Sequence, residues 1–216
     1  MMRLRIFFTK EGDLKYISHL DLMRLWHRAF RRAGIPLAYS GGFNPQPRIS
    51  IAAPLPVGVT SHAEMMDVYL ERRISPEVVS SALQAQLPRG IRILKVQEIW
   101  PGLPSLQSQV RFVEYQVLFP RAGRSLDEVR EAIAALLSKK TLPWEHMRDK
   151  EVRRYDLRQL IDDIWISEWG EEEFVLGMRL RFDNTGGGRA DQVASALGLP
   201  EPKAIHRTRI ILAGRM

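Results

Sequence analysis

KYISHLDLMRLWHRAFRRAGIPLAYSGGFNPQPRISIAAPLP, residues 15–56, joins a basic amphipathic helix to a loop rich in glycine and proline. Ser18 fits an N-cap, and Asp21 stands three residues later, where a capping box usually has Glu or Gln. Leu22, Trp26, Ala29, Phe30 and Ala33 recur at the three- to four-residue spacing of one helix face. Gly34 suits the left-handed position that ends helices, and Pro36 blocks continuation. A helix over residues 18–33 is therefore expected. Its opposite face carries Asp21, Arg24, His27, Arg28, Arg31 and Arg32. Cations near a helix C-terminus are favoured by the dipole, so a solvated face accounts for Arg31 and Arg32 without any ligand. The functional reading of Arg24, Arg28, Arg31 and Arg32 is a phosphate-binding surface, because guanidinium forks match phosphate oxygens.

SGGFNPQPR, residues 40–48, follows. Gly41 and Gly42 permit positive φ and close approach of a ligand, while Pro45 and Pro47 stiffen the segment. Asn44 suits an Asx-turn. A long hairpin connection needs glycine and proline in any case. Yet Phe43, Asn44, Gln46 and Arg48 together make a stiff polar surface of the kind that recognises ligands. His19 and His27 lie eight residues apart, and neither has a second close His or any Cys beside it, so no metal site is expected.

Working outward, residues 3–9 alternate around Leu4, Ile6 and Phe8 as a strand, and residues 10–13 read as a turn. Short strands are expected at residues 35–39 and 49–52, and a longer one at 64–70. Ser75 with Pro76 opens a helix running to about Leu87, and residues 91–99 close this half as a strand. WPGLPSLQS, residues 100–108, reads as a linker. The second half repeats the layout: a strand at 110–119, a helix at 125–137 with Ser125 and Glu128 as a capping box, and strands at 142–146, 161–167, 174–182 and 205–212. A charged stretch, residues 150–159, separates the first two of these strands, and a helix at 190–197 precedes the last. The expected class is α+β: two tandem ferredoxin-like (split βαβ) lobes with antiparallel sheets, residues 1–100 and 109–216.

Three segments of the second half carry chemistry. Arg153, Arg154, Asp156 and Arg158 combine guanidiniums with one carboxylate, whose plain role is to pair with them. Thr185-Gly186-Gly187-Gly188-Arg189 before a helix would let backbone N–H groups cradle a phosphate, although no P-loop or GxGxxG spacing is present. Arg207 and Arg209, two apart in the closing strand, share a face and extend a basic surface.

The chain of 216 residues has a net charge of +7, a pI near 10.0 and mean hydropathy of -0.20. Arginine supplies 25 of its 32 basic residues, a balance that favours polyanionic partners, nucleic acid first. The absence of cysteine excludes disulfides, thiolate catalysis and an iron–sulfur cluster held by this chain's own cysteines. No apolar run of membrane-spanning length exists, and MMRLRIFF enters a strand pattern directly, without a signal-peptide core. A cytoplasmic home, no cofactor and no membrane partner are expected.

FTKEGDLKYISHLDLMRLWHRAFRRAGIPLAYSGGFNPQPRISIAAPLPVGVTSHAEMMDVYL, residues 8–70, resembles the bacterial radical SAM-linked protein family, a domain of unknown function. The likeness continues more loosely through YDLRQLI and GGGRADQVASALG. In that family the domain occurs alone or fused behind a cobalamin-binding radical SAM domain. The resemblance implies an accessory role beside a radical SAM partner. This chain, lacking CxxxCxxC, is not the radical-generating part. The expectation is thus a non-catalytic accessory protein binding RNA or a ribonucleoprotein through Arg24, Arg28, Arg31, Arg32, Gly41, Gly42, Phe43, Asn44, Gln46 and Arg48. Arg154, Arg158, Arg189, Arg207 and Arg209 would extend that surface. One alternative is an acid–base enzyme acting on a nucleotide or phosphate ester through His19, Asp21 and Asp156. The other is a pure protein-interaction module.

Overall fold

Alternation along β1 (Met2–Lys10) sends Leu4, Ile6 and Phe8 into a dry core, all with zero exposure, and sets Arg3 and Arg5 on the other face. A computed structural model of the protein describes residues 1–148, 151–183 and 186–214. It divides into two units, Met1–Val110 and Arg111–Gly214.

In the first unit, β1 and a short 3-10 turn (Gly12–Tyr16) lead to α1 (His19–Arg32). There follow β2 (Ile49–Ile51), β3 (Thr60–Leu70), α2 (Pro76–Gln84), β4 (Ile93–Ile99) and a four-residue helix, α3 (Leu106–Gln109). The strands lie in the order β4-β1-β3-β2, every neighbouring pair antiparallel. Leu22, Trp26, Ala29 and Phe30 of α1 bury against this sheet, with Trp26 edge-on to Phe8 at 4.9 Å between ring centroids.

Residues 35–39 make only isolated bridges, Leu37 to Leu70 and Tyr39 to Pro47, because Pro36 has no N–H for a ladder. The second helix stops at Gln84 rather than Leu87. There the Gln86 N–H turns to the Leu83 carbonyl, and Pro88 disfavours a helical Leu87. The stretch at 100–108 is tied down more firmly than a linker: the Arg3 guanidinium donates to the carbonyls of Leu103 at 2.6 Å and Pro104 at 2.9 Å.

Arg3 and Arg5 both meet Asp67 of β3, at 2.7 and 2.8 Å, and Asp67 is 1% exposed. Antiparallel register sets Arg5 opposite Asp67 and Arg3 opposite Tyr69. A buried carboxylate between two guanidiniums is satisfied only as long as all three remain.

In the second unit, β5 (Val110–Pro120) and α4 (Leu126–Ser138) precede a two-stranded hairpin, β6 (Pro143–Arg148) with β7 (Glu151–Asp156). A 3-10 turn (Leu157–Leu160) leads to β8 (Ile161–Trp169), β9 (Glu173–Asp183), β10 (Gly186–Gly187), α5 (Ala190–Ala196) and β11 (Ala204–Leu212). The main order is β11-β5-β9-β8, with β10 on β9 beyond β8. Ser125 and Glu128 form the expected capping box on α4. The charged stretch after β6 is not a loop but mostly β7. Glu145 and Arg154 stand opposite each other in this small hairpin, whose exposed strand lacks the apolar alternation of a packed one. Trp165 lies across Gly177 on the neighbouring strand. A Cβ built on Gly177 meets the indole ring at 2.0 Å, so glycine is required there.

The mixed α/β architecture, with mostly antiparallel pairing, agrees with the sequence expectation. No helix among the described residues is long and apolar enough to cross a membrane.

Candidate nucleic-acid interface

Ser18 caps α1 by accepting from the Asp21 N–H at 3.1 Å, and its hydroxyl donates to the Asp21 carboxylate at 2.7 Å. That hydroxyl, followed by the Arg24 charge, lowers the Asp21 pKa from the usual carboxylate value. From this start, Arg24, Arg28, Arg31 and Arg32 fall within an arc of about 100° at 100° per residue. All four are exposed. Arg24 makes an i,i+3 pair with Asp21 at 3.3 Å, which at such exposure holds it weakly.

The loop at 40–48 is closed upon itself. The Ser40 N–H donates to the Gln46 carbonyl and the Gln46 N–H to the Ser40 hydroxyl, at 2.8 and 2.9 Å, while the Arg48 N–H reaches the Ala38 carbonyl. Asn44 makes no Asx-turn to its own backbone; its Oδ1 accepts from the Gln46 side-chain amide at 3.2 Å. Gly42 adopts φ +102°, which only glycine takes readily, whereas Gly41 needs no such freedom. The loop holds Phe43 entirely in solvent, with no packing at all.

Helix and loop meet at the loop's root. His27 Nε2 and the Tyr39 hydroxyl are hydrogen-bonded at 3.0 Å, their rings edge to face. A shallow depression of about 320 Å³ lies there, lined in part by His27, Arg31, Tyr39 and Glu71. Arg48 does not project freely: its guanidinium stacks on the Tyr69 ring at 3.9 Å. Tyr39 and Tyr69 carry no signal in the sequence, because their contacts with His27 and Arg48 arise only on folding. The spacing of His27 on the basic face was the one signal available.

His19 opens α1, and its Nδ1 is buried without a partner among the described residues. Burial, then the charge of Lys10, lowers its pKa below 6.5, while Glu64 acts in the opposite direction. His19 and Asp21 belong to the first unit and Asp156 to the second. Asp156 does not pair with the neighbouring guanidiniums. Its carboxylate caps the 3-10 turn, accepting from the N–H groups of Leu142 and Arg158 at 2.7 and 3.0 Å.

The remaining arginines of the second unit are mostly engaged. Arg154 pairs with Glu145 at 2.6 Å, and Arg189 holds Asp191 through two bonds. Arg158 donates to the carbonyls of Leu137 and Ile161, acting as a staple between α4 and β8. Arg207 is fully buried, so it presents no guanidinium to solvent, and the exposed Arg209 lies 3.6 Å from Glu114. The glycine stretch is no phosphate cradle either. Gly186 and Gly187 pair with β9, the Gly188 N–H donates to the Arg181 carbonyl, and Arg189 makes no side-chain cap. Thr185 lies outside the described residues. Among those residues, no cluster of three or more His, Cys, Asp or Glu is placed to hold a metal ion.

A family model described as "Uncharacterized protein conserved in bacteria (DUF2344)" matches residues 3–188. No curated protein matches the chain. Among solved structures, a Cbf5-Nop10-Gar1 complex contains a chain similar in fold, with a TM-score of 0.52 at 10% identity. The match covers 96% of this chain and 48% of that one, so this chain spans about half its length. An archaeal box H/ACA sRNP Nop10-Cbf5 complex gives a TM-score of 0.48 at 13% identity, covering 96% of this chain and 48% of that one.

Proposed function

The chain belongs to the family of uncharacterized proteins conserved in bacteria, and on that premise we propose that it is an accessory protein that binds single-stranded RNA through α1 and the 40–48 loop. One observation carries this reading: four exposed arginines on one helix face, joined through the His27–Tyr39 bond to a closed loop bearing a fully exposed Phe43. Guanidiniums that face solvent neutralise phosphates, and an unpacked aromatic ring offers a stacking platform for a base.

The partner in this proposal is a radical SAM protein, and the support is the resemblance of residues 8–70 to the radical SAM-linked family. The shared strand orders, β4-β1-β3-β2 and β11-β5-β9-β8, support reading both units as split βαβ, ferredoxin-like lobes. In the acid–base alternative His19 stands without either carboxylate, since Asp21 accepts from the Ser18 hydroxyl and pairs with Arg24, and Asp156 accepts from two backbone N–H groups. Fluorescence anisotropy with a labelled single-stranded RNA at two salt concentrations tests the RNA reading. Co-purification with a radical SAM protein from the source cell tests the partner. Absence of RNA binding at low salt removes the first, and absence of a stable or transient complex removes the second.

A further inference from the structure

The second unit contains a cleft of about 530 Å³ whose lining includes His146, Arg153, Tyr155, Gly187, Arg189 and Gln192. That volume falls in the range of small-ligand sites and exceeds what a simple inorganic anion fills. Gln192 on α5 is 6% exposed. Its Oε1 accepts from the Tyr155 hydroxyl, while its Nε2 has no partner among the described residues. Buried amide donors are nearly always paired, and an acceptor supplied by a ligand would satisfy this one. Burial raises the Tyr155 pKa, so the phenol stays a donor and holds Oε1, leaving Nε2 as the free pole of the amide.

Three guanidiniums, Arg153, Arg154 and Arg189, line the cleft beside the carboxylate of Asp156, which already accepts from two backbone N–H groups. Glu145 pairs with Arg154 and Asp191 with Arg189, so the exposed Arg153 is the guanidinium best placed to take a new anion. Arg189 is held in place by two bonds to Asp191, so its guanidinium is pre-oriented. Arg153 is exposed on β7.

We infer that this cleft binds a nucleoside monophosphate, free or at the end of an RNA strand. The phosphate meets Arg153 and Arg189, the base lies by Tyr155, and a base acceptor takes the Gln192 Nε2–H. The inference concerns the second unit and does not depend on the reading of α1.

The test is calorimetric titration of the full chain carrying Arg28→Ala and Arg31→Ala, so that binding at the helix face is not counted. The probes are AMP, GMP, CMP, UMP, inorganic phosphate and short RNA oligonucleotides with and without a 5′-phosphate. The expected result is that at least one mononucleotide binds about tenfold or more tightly than phosphate, and that Arg153→Ala weakens it about tenfold. Binding confined to the 5′-phosphorylated oligonucleotide and lost in Arg153→Ala also supports the site, with an RNA terminus as the source. Gln192→Leu removes base discrimination while phosphate affinity stays. Because Gln192 is buried and that variant can fail to fold, the exposed Arg153 decides the matter. No binding by any probe, equal binding of phosphate and nucleotides, or an unchanged affinity in Arg153→Ala would overturn the inference.

Discussion

His27 Nε2 and the Tyr39 hydroxyl lie 3.0 Å apart, a hydrogen bond that ties the middle of α1 to the root of the 40–48 loop. Through it, the arginine face and the Phe43 tip become parts of one surface. The rest of the root is held to β3 by the Ala38 N–H on the Tyr69 carbonyl, the Tyr69 N–H on the Arg48 carbonyl and the Arg48–Tyr69 stack.

Tyr39→Phe deletes this bond and keeps the ring. One such hydrogen bond contributes about 0.5–1.5 kcal/mol, so urea unfolding should shift by no more than that. RNA affinity should fall about two- to fivefold, because the loop is then ordered at the expense of binding. Equal affinity in wild type and variant would show that the loop needs no anchor.

Phe43→Ala should leave thermal stability unchanged, since a ring wholly in solvent contributes no packing. Affinity for a single-stranded RNA should drop by about 1–3 kcal/mol, the range for losing one stacked base. Wild-type affinity in this variant would exclude stacking at the loop tip.

Asp67→Asn removes the carboxylate shared by Arg3 and Arg5, leaving two buried guanidiniums with weaker acceptors. Breaking a buried ion network from one side costs about 3–5 kcal/mol, which chemical denaturation would reveal. Arg3 would also loosen its hold on Leu103 and Pro104. Protease cleavage between Trp100 and Leu106 should therefore appear in the variant and not in wild type.

His19 makes stability sensitive to acid. Burial and Lys10 lower its folded pKa below 6.5, so on acidification the unfolded chain takes up a proton before the folded chain does. Its effect is absent well above pH 6.5. It grows as the pH falls through that value and levels off below the folded pKa. Urea midpoints of wild type and His19→Gln should differ by a constant amount at alkaline pH, and wild type should lose more between pH 7 and 5. Parallel pH profiles would contradict the assignment.

Local signals were the legible ones. Ser18, Ser75 and Ser125 could be placed as caps because a cap depends on residues three positions away. The core face of α1 could be read from the spacing of Leu22, Trp26 and Phe30. What stayed hidden depends on distant partners. Arg3, Arg5 and Asp67 look like the polar side of two strands until the antiparallel register buries them together. Asp156 and Arg158 look like an ion pair, but tertiary packing brings the Leu142 N–H and the Leu137 carbonyl closer to them. β7 was missed because its residues, EVRRYD, pair in a small exposed hairpin. The glycines at 186–188 suggested a phosphate cradle, whereas Phe182, Leu160 and Leu180 leave no room for side chains at Gly187 and Gly188.

The most direct measurement is the salt dependence of RNA binding by wild type and the Arg28→Ala/Arg31→Ala double variant. With four arginine–phosphate contacts on single-stranded RNA, affinity should fall about 50-fold between about 50 and 200 mM salt. With two contacts left it should fall only about sevenfold, from a weaker starting value. That flattening is the result predicted for an RNA-facing α1. Identical slopes in the two proteins, or no binding at the lower salt, would contradict it.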